Sequence, residues 1–488
     1  VSILDRRGAL EPSPRERRSG GPRELFVLVA LSLLMASMQF AMLSVALPDT
    51  VSDLDASVRW ASWALSGFTM AQAVALPLLG RLSDSLGRRA VFIGGLGTFG
   101  LASLASALAP NLAVLVAARV VQGAAAGSIL PSAYGVVGDA FAGPSRTKVL
   151  GLISSVMPVG AIVGPNLGGW IVEVWGWRGT FLVNVPLALV AVTWGWRRIP
   201  GASRRPGRQE VDLVGAGLLS LAVTLVMVGL TQLGDASGAG VPMIAAAGLA
   251  VGVAVGVGFV RHELRVAVPL VDVRLLRRRE FAYLNGLNFL YGVCVFGMVS
   301  FIPLYVQEKY ALSPSEAGVL LTPRALAMIA MSVAASMVLD ASGFRRPIVL
   351  GLGALALSAG TLASGTSFGA PGTGQLVALA GVIAVLGAGL GVAGPSVNQS
   401  GLDLVPDQVA AITGLRGMFR ALGGVVGTAA MAAMASRAAT PAVGLEHSFV
   451  GLVGLAGVGA AMVRGIPDRP VSAGVVEAVP TRALPEGR

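Results

Sequence analysis

Four arginines stand inside apolar runs of membrane-spanning length: Arg119, Arg324, Arg416 and Arg420. Insertion scales put the cost of such a charge at the bilayer centre at roughly 2.5–3.5 kcal/mol, so it normally faces a bundle interior or an aqueous cavity. Uncharged polar residues share these runs and are candidates to line that cavity: Gln39, Gln72, Asn285, Asn288, Tyr291, Asn398 and Gln399. Asn285 and Asn288 sit at i and i+3, on one helix face. Hydrogen bonding between helices is the alternative role for each polar residue. For the arginines the alternative is pairing with helix-end acids or backbone carbonyls. No Asp or Glu lies deep in a span. Asp49, Asp84, Asp139, Glu173, Glu316, Asp340 and Asp403 fall at helix ends or in loops, and His262 and His447 lie outside the spans. The charge balance predicts an electropositive cavity, suited to anionic or zwitterionic cargo. Binding and release of a solute is the chemistry these residues can do. With one cysteine (Cys294), two histidines, no G-x-x-x-x-G-K-[ST] phosphate loop and no metal-ligand cluster, neither enzyme activity nor a cofactor is expected.

The elements that hold these residues are helices. The 488 residues are 54% hydrophobic and 12% charged, with a mean hydropathy of +0.76; soluble domains carry about a quarter charged residues. A helix of about 20 residues crosses a hydrocarbon core of roughly 30 Å, and hydropathy predicts fourteen such spans. Six lie at 25–48, 60–79, 90–109, 112–136, 149–172 and 179–196, a central pair at 213–234 and 242–260, and six more at 281–305, 316–339, 347–367, 376–400, 411–435 and 448–464. The expected division is a disordered arm (1–24), an N-terminal six-helix bundle (25–198), basic linkers with the central pair (199–280), a C-terminal six-helix bundle (281–464) and a disordered tail (465–488). With both termini cytoplasmic, 28 of the 36 Lys and Arg fall on the cytoplasmic side and four outside (Arg59, Arg178, Lys309, Arg437). That asymmetry sets the orientation, and it accounts for the net charge of +11 without nucleic acid. The central pair is expected to carry no buried charge and reads as a structural spacer rather than a substrate element.

Between the second and third spans lies a glycine-bounded charged turn, G-R-L-S-D-S-L-G-R-R, from Gly80 to Arg89. Aligning Asp84 with Asp340 places Gly87 on Gly343 and Arg89 on Arg345, a degraded second copy that points to an internal repeat. Gly80, Asp84, Gly87, Arg88 and Arg89 resemble the signature loop of the major facilitator superfamily, where it acts as a conformational latch. The fourth span carries Arg119, Gln122 and Gly123, which resemble the family's fourth-helix motif, implicated in proton coupling. In the fifth, Gly160, Gly164, Pro165, Gly168 and Gly169 resemble its antiporter motif. The glycines every four residues let another helix pack closely, and Pro165 permits a bend. Asp139, Phe141, Pro144 and Arg146, then Trp177–Pro186, match the flanking stretches, and Arg420 matches an eleventh-helix R-x-L-G-G.

The resemblance implies an all-α polytopic membrane protein of fourteen helices with the major facilitator fold. It implies a drug:proton antiporter of the cytoplasmic membrane, acting as a monomer on small-molecule substrates with the proton as coupling ion. One position departs from the pattern. The family's fourteen-helix exporters place an aspartate nine residues before the proline of the first helix, and counting back from Pro48 gives Gln39, which cannot titrate. An acid such as Asp49 or Asp139 is then required as the proton carrier, because arginine does not release its proton. The alternatives are a uniporter or importer without that coupling, or a non-transporting sensor or scaffold.

Overall fold

The computed structural model describes residues 21–141, 149, 152–153, 156–200, 212–233, 241–267, 269–271, 273–368, 372–402, 409–466 and 468. Pro144, Arg146, Arg204, Arg205, Arg208, Asp403 and both terminal segments lie outside that set, as do the side chains of Arg81, Asp84, Asp139 and Asp340. Among the described residues the structure is almost wholly helical. The N-terminal helices are α1 (Pro22–Asp53), α2 (Trp63–Leu86), α3 (Arg88–Ala107), α4 (Leu112–Ala140), α5 (Val156–Leu182) and α6 (Asn184–Arg198). The central pair is α7 (Leu213–Leu233) and α8 (Val241–Glu263). The rest are α9 (Arg279–Tyr310, through a π turn at Val293–Met298), α10 (Pro314–Ser342), α11 (Arg345–Ala363), α12 (Thr373–Leu402), α13 (Val409–Arg437) and α14 (Pro441–Met462).

Among the described residues, 13 helical runs are long and apolar enough to cross a membrane. The 43-residue run Val156–Arg198 is two passes, because Gly176 (φ 70°, ψ 177°) breaks the helix within α5. Fourteen crossings result, as hydropathy predicts. Large apolar side chains such as Leu101, Leu350 and Met337 point outward, as a bundle solvated by lipid requires.

Two expected boundaries change. The segment Gly80–Arg89 is not a loop: α2 continues to Leu86, α3 begins at Arg88, and Gly87 alone turns the chain. Its φ of +100° is open to glycine at little cost. Gly343, its counterpart in the repeat, also has positive φ (+69°), at the junction of α10 and α11. Nor does Pro48 close the first helix. Losing one amide donor is tolerated, and α1 runs on to Asp53.

The N-terminal core gathers around Leu33, Phe92, Phe99 and Ile129. The larger core holds Phe301, Leu321, Leu355, Leu386 and Phe449, and it also takes in Leu43, Leu47, Leu65 and Trp177 from the N-terminal helices. The two halves thus share one apolar core at the end of the bundle where α1 finishes and α2 begins. The central pair is not a detached spacer. Met227 and Val223 of α7 pack with Met70 and Val74 of α2 and with Met418 and Val425 of α13, so α7 lies across the boundary between the halves. Trp63 Nε1 donates to Thr231 Oγ1 at 2.9 Å across the same contact.

Candidate functional site

Arg119 is fully buried within α4. Its Nε donates to the Ala64 carbonyl at 2.8 Å and its Nη1 to Gln122 Oε1 at 2.5 Å. Gln122 passes the bond on, with Nε2 donating to Ser103 Oγ at 2.6 Å. The guanidinium lies 4.2 Å from the Phe68 ring centroid and 5.7 Å from that of Phe181. Such ring faces attract a desolvated cation. Nη2 has no hydrogen-bond partner among the described residues. The close approach of α2 and α4 that permits this depends on Gly123, where a Cβ would stand 2.1 Å from the Phe68 carbonyl oxygen. Arg119, Gln122 and Gly123, three positions of one motif, therefore form a single buried unit. A snorkelling arginine is excluded by its burial.

Gln39 is also fully buried, and its Oε1 accepts a hydrogen bond from Asn184 Nδ2 on α6 while its Nε2 stays unpartnered among the described residues. Asn184 was not singled out from sequence, although it stands in the Trp177–Pro186 stretch. Gln72 is half-buried on α2.

The other three arginines gather in the C-terminal half. Arg420 stacks 4.7 Å from the centroid of the Tyr291 ring, and Tyr291 donates its hydroxyl to the Leu390 carbonyl at 3.1 Å. Arg324, buried on α10, lies within electrostatic reach of the same tyrosine, and Arg416 within reach of Arg420. Arg416 Nη1 donates to the Asn398 carbonyl at 2.7 Å and Nη2 to Asn398 Oδ1. Asn398 and Gln399 are exposed on α12. Asn285 and Asn288 are buried, each donating Nδ2 to its own helix (Phe281 and Leu284 carbonyls, 2.8 and 3.0 Å), which leaves each Oδ1 unpartnered among the described residues. Among the described residues, none of the four arginines pairs with a carboxylate. Their partners are carbonyls, amides and rings, so among the described residues no carboxylate cancels the positive charge.

The glycine motif of α5 divides its contacts between the halves. A Cβ on Gly160, Gly164 or Gly168 would meet Ser37, Met38 or Met42 of α1 at 1.8, 2.9 and 2.9 Å. Gly169 faces the other way: its Cβ would lie 2.4 Å from the Pro314 carbonyl oxygen at the start of α10. Reciprocally, a Cβ on Gly318 would lie 2.3 Å from the Pro165 carbonyl oxygen. Asn166 Nδ2 donates to Thr322 Oγ1 at 2.7 Å, and the Ser315 amide donates to Glu173 Oε1 at 3.1 Å. Three residues of stripe bind α5 to its own half, and the Pro165–Gly169 face closes it on the opposite one.

At the other end of α2, Gly80 packs on Pro131 of α4 and Arg88 Nη1 donates to the Gly135 carbonyl at 2.7 Å. Arg89 Nη2 donates to the Trp196 carbonyl and its guanidinium stacks 5.1 Å from the Trp196 ring. Arg345, its repeat counterpart, donates Nε to the Ile466 carbonyl at 2.8 Å and Nη2 to the Arg464 carbonyl at 3.0 Å. In each half the equivalent arginine caps the carbonyl end of the last helix, where a cation is favoured.

The central pair does hold buried charge, contrary to the sequence expectation. Glu263 is fully buried and Asp212 nearly so, at the end of the pair nearest the basic linkers. His262 Nε2 lies 2.9 Å from Asp212 Oδ1, and the Val271 amide donates to Glu263 Oε2 at 3.0 Å. Asp212 Oδ2 and Glu263 Oε1 crowd the space over Gly215, each 2.4 Å from where a Cβ would stand. Burial pushes the Asp212 carboxyl up, but the Gly215 amide and His262 outweigh it and hold it below the usual carboxylate range. The signal available in sequence is an acid just before one span and another just after its antiparallel neighbour, which necessarily meet.

The Major Facilitator Superfamily profile matches residues 29–428. The chain is 31% identical over 406 residues to a "Multidrug resistance protein B homolog" of Mycobacterium tuberculosis, covering 82% of this chain and 74% of that protein. It is 27% identical over 404 residues to the "Multidrug transporter protein MdtP" of Bacillus subtilis, covering 81% and 72%. Over 330 residues it is 34% identical to the "Cephamycin export protein CmcT" of Amycolatopsis lactamdurans, covering 67% of each chain. In three dimensions it is similar to the nucleoside transporter NupG, with a TM-score of 0.68 at 12% identity, over 91% of this chain and 100% of that one. That likeness concerns the fold alone. The two helical halves, the buried arginines and these similarities have one explanation: the chain is a multi-pass membrane transporter belonging to the major facilitator superfamily.

Proposed function

We propose that this transporter is a secondary active exporter of small organic molecules, moving them by alternating access between residues 25–198 and 281–464. The observation that carries the reading is the α5–α10 seam. The Pro165–Gly169 face of an exporter-type motif meets the opposite half there, in backbone contacts that can part as a unit. Multidrug and antibiotic exporters among its relatives support the direction of transport. The basic cluster of Arg324 and Arg420 around Tyr291, with Arg416 beside Arg420, favours anionic or zwitterionic cargo over lipophilic cations. Equal transport of cationic dyes and acidic compounds would refute that preference.

In this reading both termini are cytoplasmic, the protein acts as a monomer, and the seam lies toward the outer face. The turn at Gly80–Arg89 acts as the cytoplasmic latch, so Asp84→Asn reduces flux without affecting membrane insertion. The Arg119–Gln122 unit serves coupling to the proton gradient. The proton itself needs a titratable carrier, and Asp49 and Asp139 are the first to test. A uniporter is the second reading, favoured by Gln39, which stands paired with Asn184 where relatives of this type carry an acid.

Inverted membrane vesicles with a preset pH gradient decide between them. Substrate-dependent proton release, present only with this protein, is the expected result. Substrate movement without proton movement would put the uniporter first.

A further inference from the structure

An apolar groove of about 640 Å³ lies between the central pair and the C-terminal half, within the size range of small-molecule sites. Its walls include Val223 of α7, Gly256 and Val260 of α8, Phe289 of α9 and Leu422 of α13. It follows α8 from Gly252 to Arg261, about 14 Å at the usual helical rise. One side is open to the bilayer, because only 17% of the apolar stretch of α8 is buried. Gly256 makes the room. An added Cβ there would have no neighbour nearer than Ala222 at 3.9 Å.

The groove ends in positive charge. Arg261 forms part of its wall, and Arg277 follows the wall residue Leu276 in the 3-10 elbow Val273–Arg277. Both arginines are exposed, and among the described residues neither makes a hydrogen bond or ion pair. Among the described acids nearby, Asp212 and Glu263 are buried and already engaged by His262, Gly215 and Val271, and exposed Glu280 makes no ion pair with either arginine. A long apolar slot open to lipid, with Arg261 at its end and Arg277 next to its wall residue Leu276, fits one amphiphile. Its acyl chain fills the slot and its phosphate meets the arginines.

We infer that this groove is a binding site for a single anionic phospholipid. Such a lipid ties the central pair to α9 and α13, whose neighbouring residues Asn288 and Arg420 belong to the candidate cargo site. The inference does not depend on the direction or coupling of transport, and it is tested by binding alone.

The test is native mass spectrometry of the detergent-purified protein supplied with equal phosphatidylglycerol and phosphatidylcholine. One phosphatidylglycerol should be retained, with a preference of roughly ten- to thirty-fold from two arginines near the surface. Gly256→Leu, which fills the slot, should abolish retention while the thermal midpoint without added lipid stays near that of the wild type. Arg261→Gln with Arg277→Gln should remove the preference but leave weak retention of either lipid. Equal retention of the two lipids by the wild-type protein would overturn the inference, as would unchanged preference in the double arginine variant. The double variant alters only exposed side chains, so it decides the matter should Gly256→Leu fail to fold.

Discussion

Replacing Gly169 with alanine tests whether the α5–α10 seam parts during the transport cycle. The new Cβ would stand 2.4 Å from the Pro314 carbonyl oxygen and 2.8 Å from Ser315 Cα. Carbon contacts settle near 3.5 Å, so the helices must separate by roughly 1 Å. Overpacking of this kind costs about 1–3 kcal/mol. The contact joins the two halves, so the cost falls on the conformation described here and not on one in which the seam is open. The balance should move toward the open seam by about 5- to 150-fold. Gly164→Ala is the matched control. Its Cβ would also crowd its neighbour, Met38, at 2.9 Å, but inside one half, so it should lower the thermal midpoint without changing the balance. Spin labels on Leu108→Cys and Ser367→Cys, one in each half near the seam end, report the separation by double electron–electron resonance. Cys294 is buried and does not compete for label. A longer distance population is expected in Gly169→Ala only. An unchanged distribution, or an equal shift in Gly164→Ala, would refute the reasoning.

Three further outcomes are expected. Arg119→Lys cannot reach both the Ala64 carbonyl and Gln122 from a single ammonium on a flexible stem, and it loses the planar stack on Phe68; vesicle flux should fall at least about ten-fold, and wild-type flux would contradict the role of this unit. Arg416→Gln with Arg420→Gln removes two positive charges of the cavity and should weaken uptake of acidic compounds more than that of cationic dyes, checked by competition in the same vesicles. The Asp212 carboxyl is held below its usual range in the folded protein, so its contribution to stability is complete above the unfolded value of about 3.9 and is lost as pH falls through the folded one. The difference in thermal midpoint between the wild type and Asp212→Asn should therefore be level near pH 5 and shrink below about pH 4. A difference that grows on acidification would show that the carboxyl is not held down.

Much of the fold was legible because a bilayer imposes a simple rule. About twenty apolar residues make a crossing, and Lys and Arg sort between its two sides. Hence fourteen crossings, and a charged junction after the second span with a degraded copy in the second half, could be read from local composition and spacing, whereas its narrowing to a turn at Gly87 alone could not. The grouping of Arg119, Gln122 and Gly123 was legible too, through the fourth-helix motif they resemble. What one helix meets in another is a different matter, because spacing within a helix carries no information about its neighbour.

Only the tertiary structure could decide that Gly160, Gly164 and Gly168 serve α1 while Gly169 serves α10, since all four are identical in kind. It also decided that Gln39 pairs with Asn184, that Arg324 and Arg420 gather around Tyr291 with Arg416 beside Arg420, and that Asp212 meets Glu263 at the foot of a pair whose spans look uncharged. The partition has a physical cause. Insertion into lipid is decided segment by segment through hydrophobicity, a property each stretch carries alone. Packing, pairing and the clustering of charge depend on which faces of separate helices come together, and no single stretch carries that.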